Sequence, residues 1–158
     1  MDEELERYRA EQAHAYLEQI RRMGRTCAAL QDLVDDARAR AEGVTGIDYA
    51  AVRVTKSLDP DRMADLVEQI REGISDYIAA LAEYEGERMR ANAAIMSMPD
   101  YTSARILRLR YLCGWQWEKI CVDMAYSYDW MMKLRRRALA EFYEYMPHDR
   151  RDALVPAV

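Results

Sequence analysis

The strongest constraint on how this chain can fold is an apolar repeat that alternates steps of three and four residues. It first runs through Ala13, Tyr16, Ile20, Met23, Cys27, Leu30, Val34, Ala37 and Ala41. Eight steps cover 28 residues, a mean of 3.5, so these positions form a narrow seam that calls for a partner helix. A second seam follows through Met63, Val67, Ile70, Ile74, Tyr77, Leu81, Tyr84, Arg88, Ala91, Ile95 and Met98. Gly43 and Gly46 end the first helix, and Pro99 ends or kinks the second. The second helix should start with Asp59 as N-cap, Pro60 in the first helical position and Asp61 in the first turn. Residues 1–98 are therefore expected to form a long antiparallel helical hairpin, coiled-coil-like, with a loop near 43–59. The loop residues Tyr49, Val52 and Val54 would pack on the hairpin or on a partner. Seams specify a partner helix without saying whose it is, so pairing between chains to give a homodimer stays open. Gly73 and Gly86, weak helix formers inside the second helix, are expected at close backbone approaches.

The rest of the composition agrees with an all-α fold. Among 158 residues there are only 6 Gly and 4 Pro, and apart from a hint at Val52 and Val54 no β-branched residues alternate over a strand length. No apolar run approaches the ~20 residues that span a bilayer. The N-terminal MDEELERYRAEQ is too charged for a secretory leader, so a cytoplasmic location, in a bacterial host cell on the resemblance given below, and no membrane partner are expected. Three cysteines are an odd number, which suits a reducing compartment better than a disulfide framework. Cys113 and Cys121 read as buried thiols, His14 as a surface residue and the methionines as gap-fillers in a helical core. Two distant histidines give no zinc spacing, and there is no glycine-rich phosphate loop and no nucleophile with a plausible His partner. The expectation is a protein that is not an enzyme and uses no metal or cofactor.

Charge is unevenly spread. Residues 1–100 carry 13 Lys/Arg against 21 Asp/Glu, whereas residues 101–146 carry 8 basic against 5 acidic. That asymmetry fits a nucleic-acid-facing module joined to an acidic region. Residues 99–146 also have a layout of their own, followed by a tail over 147–158. Pro99-Asp100 opens a helix with Ala104, Ile106, Leu107 and Tyr111 inward, closed by Cys113-Gly114. A second helix over 117–124 turns Ile120, Cys121 and Met124 inward. After the turn at Ala125-Tyr126, Ser127 caps a third helix spanning about 128–146. Its inward residues are Met131, Leu134, Ala138, Leu139 and Phe142. At about 100° per residue, Asp129, Lys133, Arg136 and Arg137 point the opposite way, with Trp130 beside them. Arg135 lies nearer the inward side and is expected to pair with an acid. Trp115 and Trp117 read as packing residues. Two short helices before a longer basic one is the layout of a helix-turn-helix.

The run of Leu107, Arg110-Tyr111, Gly114, Trp117-Glu118-Lys119-Ile120, Met124-Ala125-Tyr126-Ser127, Met131, Leu134 and Ala138-Leu139 resembles region 4 of bacterial sigma factors. It is closer still to phage regulators of the RinA and ArpU type and their prophage relatives. The resemblance is specific over residues 105–142 and looser over the upstream seams and residues 52–57. It implies a DNA-binding transcription regulator of phage late or packaging genes that binds double-stranded DNA, with host RNA polymerase as a candidate partner. By that resemblance Ser127 is the cap of the recognition helix; Tyr128, Asp129, Trp130 and Lys133 face bases or the groove; Arg137 lies close to the backbone. Trp117, Glu118 and Lys119 begin the supporting helix, and Arg136 belongs to the same outward stripe. Tyr128, Trp130 and Met132 depart from the sigma pattern, since apolar groups can meet thymine methyls but cannot grip guanine. The alternative is a small-terminase-like packaging or structural interaction protein, which also joins a helix-turn-helix to oligomerising helices.

Overall fold

A computed structural model describes residues 2–45 and 60–151. Every regular element among them is helical: α1 (Glu3–Thr45), α2 (Pro60–Met96), α3 (Tyr101–Leu107), α4 (Trp117–Met124) and α5 (Tyr128–Tyr143). A wider π turn over Arg108–Leu112 prolongs α3, and a single 3-10 turn covers His148–Arg150. Pro60 and Asp61 begin α2 as expected. The Asp59 cap and the packing of Tyr49, Val52 and Val54 lie outside the described residues. The third C-terminal helix stops at Tyr143, three residues short of the expected end at 146, with Glu144 as its C-cap. No helix among the described residues is long and apolar enough to cross a membrane.

The chain divides into two compact units. One is Gly24–Glu83. Here Cys27 and Val34 of the first seam are buried, and Met63, Ile70, Ile74, Tyr77 and Leu81 of the second are half-buried. Val67 breaks the pattern: it is exposed, and Leu66, one residue back, takes the half-buried place. A strict 3.5 count drifts by about 20° per heptad against a straight helix, enough to move the inward position by one residue. Gly73 does mark a close approach, since a Cβ there would meet Val34 Cγ2 at 3.3 Å.

The other unit joins the described residues up to Met23 with those from Tyr84 onward. Its main core is built from both ends of the chain. Ala10, Ala13, Tyr16, Leu17 and Ile20 of α1 cluster with Ala91, Ala94 and Ile95 of α2, with Leu107 and Tyr111, and with Ala138, Leu139 and Phe142 of α5. The rings of Tyr16 and Phe142 stack at 6.3 Å between centroids. Burial and the neighbouring Glu87 carboxylate push the Tyr16 hydroxyl up to about 12. Gly86 corrects its expectation: a Cβ there would meet nothing within 4 Å. A second, smaller core lies among α3, α4 and α5. Ile106, Ile120, Cys121 and Met131 form it, walled by Trp115, Trp117 and Leu134.

Candidate nucleic-acid interface

Most ends of the C-terminal helices are closed by local chemistry. The Asp100 carboxylate accepts from the backbone N–H groups of Thr102 and Ser103 and from the Ser103 hydroxyl at 2.6 Å, which caps α3 and holds the carboxyl below its ordinary range. At the far end the Cys113 N–H reaches back five residues to the Arg108 carbonyl at 2.9 Å, and Gly114 takes the left-handed backbone at φ 75°. The expected glycine stop is there; the π turn before it left no mark on the pattern. Between α4 and α5, Ala125 adopts φ 56°. Non-glycine residues rarely adopt that conformation. Ser127 then caps α5, its hydroxyl accepting from the Trp130 N–H at 3.2 Å.

The exposed face of α5 matches the helical wheel: Asp129, Lys133, Arg136 and Arg137 are exposed with Trp130 beside them, and Met131, Ala138, Leu139 and Phe142 are buried. Tyr128, in the first helical position, is exposed too. Leu134 is half-buried, and Ala140, not expected inward, is buried too. Among the described residues Lys133 and Arg137 make no ion pair, while Arg136 lies 3.5 Å from the Glu3 carboxylate of α1. On α4, Lys119 sits exposed with its ammonium 3.8 Å above the ring of Trp115. Trp117 is half-buried in the small core, and the guanidinium groups of Arg110 and Arg135 lie 5.4 and 5.6 Å from its ring. Both of these tryptophans therefore pack, whereas Trp130 does not.

Several placements differ from expectation. Arg135 turns inward but pairs with no acid among the described residues; one of its terminal nitrogens lies 3.4 Å from His14 Nδ1. His14 is half-buried rather than on the surface, and the same Nδ1 is 2.8 Å from the Tyr111 hydroxyl. Arginine can only donate, so Nδ1 accepts and the ring is neutral. Burial first, and then the Arg135 cation, hold the His14 pKa below its ordinary value. Cys113 is exposed, because the π turn and Gly114 carry it past the inward face; Cys121 is buried, which pushes its thiol up. Met89 and Met96 are exposed, in contrast to the buried Met98, Met131 and Met146.

The first turns of α1 lie along the C-terminal half of α5, a neighbour no motif announced. Arg9 pairs with Glu144 and sits over the Tyr143 ring, and Tyr8 meets the same ring edge-on at 6.4 Å. A groove of about 560 Å³ separates Glu3, Glu4, Arg7 and Glu11 of α1 from Met132, Arg135 and Arg136 of α5. The covering explains the buried Ala140, which the wheel alone would put outside. It leaves the first two turns of α5 as its open part. Among the described residues no cluster of His, Cys, Asp or Glu could hold a metal ion. No protein-family model, curated protein or solved structure matches this chain.

Proposed function

We propose that this chain is a DNA-binding transcription regulator of the phage and prophage type, with α4 and α5 as the two helices of a helix-turn-helix. In this reading α5 enters the major groove by its N-terminal half, α4 lies over the phosphates with Lys119, and α1 and α2 form an antiparallel hairpin that dimerises or engages a partner such as RNA polymerase. The protein acts in the bacterial cytoplasm, without enzymatic activity. One observation carries the reading. The outward stripe of α5 runs from a capped helix start, and on it Lys133, in the open first two turns, and Arg137, further along, are exposed with no ion pair among the described residues, in a chain whose net charge is -5. Cations left unpaired on an acidic protein are available to phosphates. Pairing of α1 with α2 is supported in each unit by a contact between them, Tyr16 with Glu87 in one and Val34 with Gly73 in the other.

The test is DNA capture from the phage or host genome by the purified chain, followed by salt titration of binding to a captured fragment. Lys133→Ala and Arg137→Ala should each weaken binding and reduce the log–log salt slope by about 0.9 for each lost phosphate contact. Absence of DNA affinity at low salt refutes the proposal. A packaging-type oligomer is the second reading, favoured by the exposed Leu33, Val67 and Ile78 of the Gly24–Glu83 unit. A many-subunit ring by mass measurement in solution would support it over the regulator.

A further inference from the structure

The open part of α5 is defined as much by what it lacks as by what it carries. A helix docked in the major groove meets base edges with its N-terminal residues, and here those are Tyr128, Asp129 and Trp130. None of them has the paired donors that grip guanine or the amide that grips adenine. Tyr128 is 52 % and Trp130 44 % exposed, and neither ring stacks on another aromatic or on a cation among the described residues. At about 100° per residue the two rings stand on opposite sides of Asp129. Lys133, one turn further on, is exposed and without an ion pair among the described residues. The open face is thus a carboxylate between two aromatic rings, backed by a cation.

Each of these groups has a match on the floor of the major groove. The C5 methyl of thymine is the apolar group displayed there, and aromatic side chains contact it favourably. An ionised carboxylate only accepts, so it is repelled by guanine N7 and O6 and by thymine O4; adenine offers its N6 amino group beside the N7 acceptor, whereas cytosine offers its N4 amino group with no acceptor next to it and satisfies the carboxylate best. We infer that α5 reads a pyrimidine-rich strand, with Trp130 and Tyr128 contacting thymine methyl groups and Asp129 accepting from cytosine N4. Lys133 holds the adjacent phosphate. This assignment rests on the DNA-binding reading above and adds to it the class of sequence that the helix selects.

The experiment is selection of sites from a random double-stranded DNA pool by the full chain, then resynthesis of the selected site with uracil in place of thymine. Uracil pairs as thymine does and lacks only the methyl group. The selected core should contain thymines and a cytosine on one strand, and each methyl that is contacted should cost about fourfold in affinity when removed. Trp130→Ala should shrink the uracil penalty, Trp130→Phe should keep most of it, and Asp129→Ala should relax the choice at the cytosine position. Equal binding of the thymine and uracil duplexes, or a core dominated by guanine, overturns the assignment while leaving DNA binding in place. A chain that selects nothing and binds no DNA at low salt overturns both.

Discussion

Leu17→Ala tests whether the first half of α1 is part of the body that carries α4 and α5. Leu17 has no exposed surface and lies in the core shared by α1, α2, α3 and α5. Truncation removes three carbon atoms from contact, which at about 0.8 kcal/mol per methylene is worth about 2.4 kcal/mol in transfer alone. The cavity left behind raises the cost toward the middle of the range of about 2–5 kcal/mol seen for buried leucines, so about 3 kcal/mol is expected. With a urea dependence of about 2 kcal/mol per molar, the midpoint should fall by about 1.5 M. Tryptophan fluorescence is a suitable probe, because Trp115, Trp117 and Trp130 all lie in or beside α4 and α5. The control is Leu33→Ala in the other unit, 65 % exposed, which should cost less than about 0.5 kcal/mol. If the tryptophan transition moves no more for Leu17→Ala than for Leu33→Ala, then α1 does not support the C-terminal helices and the shared core is refuted.

Three further outcomes follow from individual contacts. Ser127→Ala removes the hydroxyl that accepts from the Trp130 N–H and should destabilise the fold by about 1 kcal/mol in the same titration, with Ser127→Asp restoring most of it; equal midpoints for Ala and Asp would deny the cap. Glu3→Gln removes the acid beside Arg136 and should raise DNA affinity by about twofold at low salt, with little change in stability because the pair is exposed; unchanged or weaker binding would show that Arg136 does not meet DNA. The neutral His14, its pKa lowered chiefly by burial and then by Arg135, gives a pH dependence of defined sign. As pH falls below about 6.5 the unfolded chain takes up a proton that the folded chain resists, so stability is complete above that value and declines until the folded pKa is passed. His14→Gln should flatten the change in urea midpoint between pH 7.5 and 5.5, and an identical slope in the two proteins would contradict the assignment.

What could be read from the sequence was local, and what could not was the company each helix keeps. The start of α2 at Pro60, the span of α4, the Gly114 stop and the Ser127 cap all depend on residues within one turn of where they act. The outward stripe of α5 depends on a single period. His14 could not be placed that way, because its partners Tyr111 and Arg135 lie 97 and 121 residues away. Nor could the π turn at Arg108–Leu112, which changes the hydrogen-bond step without changing residue type.

The docking of α1 on α5 shows in the width of the buried stripe rather than in its period. Through Met23, Cys27, Leu30 and Val34 the burial follows a narrow seam, with the apolar neighbours Ala28, Ala29 and Leu33 left exposed, as a single partner helix requires. Earlier in the same helix Ala10 and Leu17 join Ala13, Tyr16 and Ile20, and all five are buried. A stripe of that breadth serves a helix packed on more than one neighbour. The second seam broadens in the same way where Ala94 joins Ala91 and Ile95. Both changes fall close to the boundaries of the compact units at Met23 and Tyr84. Widening of the buried stripe therefore marks where α1 and α2 enter the C-terminal core. Apolar additions at Gln19 or Asn92, outside the broadened stripes and exposed, should leave that core's stability unchanged to within about 0.5 kcal/mol. Polar replacement of Leu17 or Ala94, by contrast, should disrupt the core.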